Sequence, residues 1–203
     1  MMNFRFEEKL KLNSNKLHEF KDWLNKNNFQ EIYETREVYS IYYDNNLFQT
    51  YADSNEGVVP RSKLRIRTYD FKSFLENKFN VEIKNSLNYG RLKSSKKLEN
   101  IRNSLKFGIY LKNYGFCYPK IIVKYQRTYF NFKNVRITLD KNIEFKKYSK
   151  FLHKGTFNNK CNLIVAEIKY SSKKQLSKLF DELPFEKTRF SKYCIGLETL
   201  NLI

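Results

Sequence analysis

Polar and apolar residues alternate through much of this chain, and at a few places the alternation gives way to helical spacing. Residues 4–12 set Phe4, Phe6, Leu10 and Leu12 on one face of a strand and Arg5, Glu7, Lys9 and Lys11 on the other; only Glu8 breaks the apolar set. Ser14 can cap a helix to about residue 27, with Leu17, Phe20 and Leu24 at helical spacing, a stripe suited to packing on a sheet. Further strands are expected at 36–44, 61–69, 77–86, 120–131 and 134–145, the last two joined by a short hairpin link, and around Glu167. Asn45–Tyr51 reads as a short helical turn, Ala52–Pro60 and His153–Asn162 as loops, and Gly90 as a turn. Helical spacing is expected around Lys97–Leu111, from Ser171 or Ser172 to about Leu183 before Pro184, and over Arg189–Leu200. The pattern is that of an α+β protein of a single domain, residues 1–203, with no linker or low-complexity tract.

The polar faces of these strands are unusually charged. Glu-Ile-Lys occurs twice, at Glu82-Ile83-Lys84 and Glu167-Ile168-Lys169, and a looser relative, Glu7-Glu8-Lys9, opens the chain. Lys63, Arg65 and Arg67 share a face opposite Leu64, Ile66 and Thr68; Tyr125, Arg127 and Tyr129 share another, as do Arg136, Thr138 and Asp140. Two readings are open. Such a face is either the wet side of an antiparallel sheet, where charges contribute little, or the wall of a site. Arginines at strand centres favour the second, because the planar guanidinium fork matches phosphate oxygens.

Charge sharpens this picture. Lys and Arg number 39 against 21 Asp and Glu, a formal charge of +18, so the partner is expected to be a polyanion. Hydrophobic content of 41% and aromatic content of 17% exclude a disordered chain. Cys117, Cys161 and Cys194 are widely spaced, form no metal or redox motif, and are expected to be reduced thiols in a cytoplasmic protein. His18 and His153 are too isolated for a zinc site. No apolar run reaches membrane-spanning length, and the charged opening strand leads us to expect no signal peptide.

The motifs also follow an order. Arg5-Phe6-Glu7-Glu8-Lys9, Tyr42-Tyr43-Asp44, Arg65-Ile66-Arg67, Glu82-Ile83-Lys84, Tyr125-Gln126-Arg127, Val135–Asp140, Ala166–Tyr170 and Ser191-Lys192-Tyr193 succeed one another from about Asn3 to Leu200. In this the sequence resembles the VTC (vacuolar transporter chaperone) domain, the polyphosphate polymerase branch of the CYTH-like triphosphate tunnel metalloenzymes. The resemblance implies a closed antiparallel β-barrel of about eight strands, with helices packed outside and a triphosphate in its lumen. It implies a transferase that moves the γ-phosphate of ATP onto a polyphosphate chain with Mn²⁺ or Mg²⁺. Arg65, Arg67, Lys84 and Arg127 would then hold phosphate oxygens. Lys9, Lys93 (or Lys96) and Arg136 would line the same channel. Glu167, with Glu82 and Glu7, would bind the metal. Lys192, beside Ser191, would guide phosphate entry or product exit. Tyr43 and Tyr125 would contact nucleotide or pack in the wall, and Lys169 would meet a phosphate or a neighbouring carboxylate.

The sequence departs from the wider superfamily in carrying Arg5 where an opening Glu-x-Glu-x-Lys strand has its first Glu, which favours polymerase over triphosphatase. The phosphate-sensing domain and membrane helices of eukaryotic members do not fall within these residues, so transport is not implied and any membrane-protein partner stays unidentified. Two other functions fit the residues. One is a tunnel triphosphatase acting on inorganic triphosphate or an RNA 5′-triphosphate. The other is a non-catalytic binder of polyanions or nucleic acid, supported by charge and by Tyr and Phe interleaved with basic residues. The aromatics alternate with charge at strand positions, which suits packing better than base stacking, so no nucleic-acid partner is expected. Alanine at Arg65 or Arg127 is expected to cut activity and leave folding intact.

Overall fold

A computed structural model describes residues 6–69, 79–98, 101–149, 157, 159–170 and 185–203. The elements in order are β1 (Phe6–Leu12), α1 (Ser14–Lys26), β2 (Gln30–Asp44), α2 (Gln49–Glu56), β3 (Arg61–Thr68), β4 (Phe79–Leu87) and β5 (Gly90–Leu98). They are followed by α3 (Ile101–Phe107), β6 (Ile109–Leu111), β7 (Gly115–Phe132), β8 (Val135–Lys147), β9 (Asn159–Cys161), β10 (Ile164–Tyr170) and α4 (Lys192–Thr199). The strands hydrogen-bond in the order β1-β10-β8-β7-β2-β3-β4-β5, with β6 on β7 and β9 on β8. The helix expected from Ser171 or Ser172 to Leu183, and the residues Arg5 and His153, lie outside the described residues.

The closed barrel expected from the sequence is corrected to an open antiparallel ladder: among the described residues no pairing joins β1 to β5. Both ends have a local reason. The outer edge of β1 is taken by the segment near the C-terminus, through a bridge from Leu10 to Lys187 and a bond from the Thr188 amide to the Lys9 carbonyl at 2.8 Å. β5 ends the ladder with residues 93–97, Lys-Ser-Ser-Lys-Lys, exposed, and edge lysines disfavour further pairing.

Several elements differ from the sequence expectation. Residues 91–98 form a strand, although Ser and Lys obscure their alternation. The helix expected over Lys97–Leu111 is confined to α3, because Gly108 at φ +77° ends it and Ile109–Leu111 pair with β7. β2 and β7 are longer than expected, and Pro119 lies within β7. The helix after the 45–48 turn starts and ends later than expected, and its last residues fall in the segment read as a loop. Asn13, one residue earlier than expected, caps α1 by accepting from the Lys16 amide at 2.8 Å.

By packing, the chain forms two compact units. One comprises Met1–Arg36, Tyr125–Ile143 and Cys161–Phe190; the other comprises Glu37–Lys124, Glu144–Lys160 and Ser191–Ile203. In the first, Phe20, Trp23 and Leu24 of α1 are buried with Leu10, Leu12, Ile137, Leu139, Ala166 and Ile168, the apolar sides of β1, β8 and β10. Burying one such side chain fully contributes about 1.5–3 kcal/mol, so this face of the strands fixes which residues point the other way. Glu8, the misfit of the alternation, accepts from the Tyr170 hydroxyl at 3.1 Å and lies 3.5 Å from Lys187.

In the second unit Ile41, Tyr43, Leu64, Ile66, Phe79 and Cys117 form the core. Asp44, fully buried at the end of β2, accepts from the Thr50 and Tyr51 amides at the start of α2 and from the Tyr193 hydroxyl of α4 at 2.7 Å. One carboxylate thus caps one helix and anchors another. α4 lies close on the strands: a Cβ at Gly196 would come within 2.6 Å of the Ile121 side chain and 2.8 Å of Phe145. No described helix is long and apolar enough to cross a membrane.

Candidate functional site

Each unit carries one cluster of charged side chains, and the two clusters are built differently. In the second unit, Lys63 pairs across the strands with Lys84 and Lys84 with Lys93, while Arg65 pairs with Glu82. Arg67 follows two residues after Arg65 on the same face. The described residues of this face therefore place Lys63, Arg65, Arg67, Lys84 and Lys93 around one carboxylate, Glu82. Like charges directly opposite one another oppose sheet formation, so the lysine rung is held by the rest of the fold.

Glu82 is buried and gathers the cations. Its Oε2 accepts from Arg65 Nε at 2.8 Å, with Arg65 Nη2 at 2.6 Å and Arg67 Nη1 at 3.6 Å; its Oε1 accepts from Lys93 Nζ at 2.6 Å. Burial works against its charge, but Arg65, Arg67 and Lys93 outweigh burial and hold the carboxyl at about 2. Because this lies below the ordinary 4.5, the stabilisation is fully present above pH 4.5 and is lost as pH falls toward 2. The shift corresponds to roughly 3 kcal/mol. Urea unfolding followed down the acid range should show a steep loss in the wild type and a flatter one in Glu82→Gln. Identical acid limbs would remove Glu82 from this role.

Around this cluster, Arg65 Nη1 donates to the Tyr42 hydroxyl at 3.0 Å, and the Tyr42 ring stacks on Tyr193 at 5.4 Å. Lys63 Nζ donates to Ser191 Oγ at 2.8 Å, and the same oxygen caps α4 by accepting from the Cys194 amide. Ser191-Lys192-Tyr193 is therefore a helix start fixed at both ends, with half-buried Lys192 between the fixed residues. Lys93 lies on the Glu82 face of β5, whereas Lys96 pairs with Val81 and takes the opposite face. Tyr43 is in the core, where burial pushes its phenol far above the usual range.

In the first unit carboxylates and cations alternate across strands β1 and β10. β1 and β10 are antiparallel, so their two Glu-x-Lys stretches cross: Glu7 pairs with Lys169 and Lys9 with Glu167. Lys169 in turn pairs with Arg136 of β8. Lys169 Nζ lies 3.0 Å from Glu167, Lys9 Nζ is 3.7 Å from Glu7, and Lys9 also donates to the Phe190 carbonyl at 2.7 Å. Burial lowers the Lys169 ammonium below its usual value, with Glu167 pulling the other way.

Arg127 is the buried centre of this cluster. Its Nε and Nη2 donate to both oxygens of Asp140 at 2.5 and 2.7 Å, its Nη2 is 3.8 Å from Glu167, and its guanidinium lies over the buried Tyr125 ring at 5.2 Å. Burial opposes its charge, and Asp140 and Tyr125 outweigh that to hold it firmly protonated. The fork that the sequence pointed at a phosphate is thus engaged by a carboxylate. The sequence assigns no site role to Asp140, a polar-face and motif residue, or to Asp44, a motif residue. The signal for the first is its place, as far beyond the Lys133-Asn134 turn as Arg127 lies before it, which pairs the two in a hairpin.

A family model, the VTC domain, matches the sequence over residues 4–106 and 87–201. Comparison with curated proteins gave no match. Among solved structures, a candidate adenylate cyclase from Vibrio parahaemolyticus is 14% identical, with 99% of each chain covered and a TM-score of 0.57. A candidate adenylyl cyclase from Hippeastrum, described as having a dominant triphosphatase activity, is 16% identical over 95% of this chain and 94% of its own, with a TM-score of 0.56. A conserved hypothetical protein from Pyrococcus furiosus is 15% identical over 94% of this chain and 99% of its own, with a TM-score of 0.51. At these identities the likeness is one of fold. The motif order, the antiparallel α+β ladder and a family match running nearly end to end agree: the chain belongs to the VTC domain family.

Proposed function

We propose that the protein is a polyphosphate polymerase, transferring the γ-phosphate of ATP to the end of a polyphosphate chain. The observation that carries this reading is the cation-rich face of β3, β4 and β5, where five basic side chains share a face with one carboxylate. Such a face is stabilised by a chain of phosphates and serves little purpose as a wet surface. In the reaction, a terminal phosphate oxygen of the acceptor bonds to the γ-phosphorus, the bond to the bridging oxygen breaks, and ADP leaves. Charge is spread over the transferring oxygens, so the work of the protein is positioning and neutralisation. Arg65 and Arg67 grip those oxygens, Lys84 and Lys93 neutralise the chain, and Lys192 with Ser191 guides phosphate entry or product exit. The first unit has phosphate contacts of its own: Lys9 and Arg136 supply positive charge, Lys169 meets a phosphate or Glu167, and Tyr125 supports Arg127.

A divalent cation fits Glu167 and Glu7, which offer hard oxygen donors on neighbouring strands. Among the described residues no three acidic, His or Cys side chains gather, and phosphate oxygens would supply the further hard donors such an ion takes. Glu82 fits such an ion less well, since Arg65 and Lys93 hold its two oxygens at 2.8 and 2.6 Å, closer than Lys169 and Arg127 approach those of Glu167, at 3.0 and 3.8 Å. Bound there, Mn²⁺ or Mg²⁺ would offset phosphate charge.

A triphosphatase is the second reading, favoured by the fold shared with the Hippeastrum protein. One assay separates them: incubation with ATP and Mn²⁺ or Mg²⁺, with a gel for anionic polymer and a measure of free phosphate. We expect a ladder of phosphatase-sensitive polymer, abolished in Glu167→Gln. Free phosphate without polymer overturns the polymerase in favour of hydrolysis, and polyanion binding without ATP turnover overturns both.

A further inference from the structure

We propose that the β6–β7 hairpin is a docking surface for an anionic lipid bilayer. Tyr110 and Phe116 are direct cross-strand partners, packed edge to face at 5.7 Å, and they are 65% and 58% exposed. Phe107, at the end of α3, is 59% exposed, and Tyr118 continues the Phe116 face of β7. Gly108 links these groups: a Cβ there would lie 3.1 Å from the Tyr118 ring. Four aromatic side chains thus face solvent together, an apolar patch of a kind that soluble surfaces rarely leave without a purpose.

The hairpin is a fixed platform. Its other face buries Leu111 and Cys117. In its turn the Tyr114 hydroxyl donates to Asp53 at 2.6 Å and accepts from the Ser62 amide, and the Tyr114 carbonyl accepts from Asn45. The rings are therefore held outward while the opposite face is tied to the core.

Charge identifies the occupant. Lys106 and Lys112 are exposed beside the rings, and residues 100–139 contain no Asp or Glu. Aromatic rings that settle among headgroups, flanked by lysines that reach phosphates, are the chemistry of attachment to an anionic membrane surface. A base-stacking platform is less well served: the edge-to-face pair covers a ring face, and Lys106 Nζ sits 5.0 Å over the Phe107 ring. The proposal does not rest on the phosphoryl-transfer reading.

Flotation of the full chain with vesicles tests it. Phosphatidylcholine vesicles containing phosphatidylserine should carry the protein up the gradient, and pure phosphatidylcholine vesicles should carry much less. Tyr110→Ser combined with Phe116→Ser should weaken binding by on the order of tenfold or more. Lys112→Gln should weaken it about fivefold, as expected for one basic residue at an anionic leaflet. Failure of the wild type to float, or flotation of the aromatic variant equal to wild type, overturns the proposal. So does unchanged flotation with a lost affinity for single-stranded RNA, or a change from dimer to monomer in sedimentation, which reassign the patch to nucleic acid or to a second copy.

Discussion

Replacing Arg127 by alanine is expected to destabilise the protein by about 3–5 kcal/mol, because it removes the guanidinium that both oxygens of a buried carboxylate accept from. Asp140 is fully buried and receives two short bonds from the Arg127 fork. Without the guanidinium, the charge of Asp140 has lost its principal compensation, and water has little access to replace it. The cost therefore comes mainly from what is left behind. Removing both charges together, as Arg127→Met with Asp140→Asn, should recover much of the loss. Urea midpoints at unchanged m-value report both numbers, and a double-mutant cycle gives their coupling. A wild-type midpoint for Arg127→Ala would show that Asp140 does not depend on this partner. The expectation that Arg127→Ala leaves folding intact is replaced by this one, and any activity lost with Arg127 must be measured against the folded fraction.

The same pair marks where the sequence was legible and where it was not. Strand alternation predicted the cores, since Leu10, Leu12, Ile137, Leu139 and Ile168 take the buried faces. Motif order identified the family. Alternation within one strand, however, says nothing about which charge on the next strand lies opposite. Glu82-Ile83-Lys84 and Glu167-Ile168-Lys169 look equivalent in sequence. Antiparallel pairing with β1 sets Glu167 opposite a lysine, whereas pairing with β3 and β5 sets Lys84 between two lysines and Glu82 opposite Arg65. One repeat is a lattice of alternating charges and the other a cation cluster around a single anion. The β5 strand is hidden for a related reason: of residues 91–98 only Leu92 and Leu98 are apolar, and Ser94 and Lys96 between them interrupt the face that would mark the period. Helical spacing in the following segment then drew the helix too long, and only Gly108 and the pairing of Ile109–Leu111 stop it.

Arg65→Ala is expected to lower phosphoryl transfer from ATP by roughly 10²–10³-fold, the range seen when one preorganised donor to a developing anion is removed. The fold should be nearly unaffected. Arg65 keeps 23% of its side chain exposed, and Glu82 retains Arg67 at 3.6 Å and Lys93 at 2.6 Å when Arg65 is gone. This is the reverse of Arg127, whose removal leaves Asp140 without either of its short guanidinium bonds. Arg65→Lys should regain only part of the rate, because an ammonium supplies charge without the planar fork that binds two oxygens at once. If Arg65 acts on the transferring phosphate, the loss appears in kcat as well as in kcat/KM, while the urea midpoint shifts by no more than about 1 kcal/mol. A loss confined to KM would make Arg65 a uniform binder of the phosphate chain. A wild-type rate in folded Arg65→Ala would take the reaction away from the Glu82 cluster altogether. The cation-rich face would then be a place where polyphosphate is held, with the chemistry done by other groups.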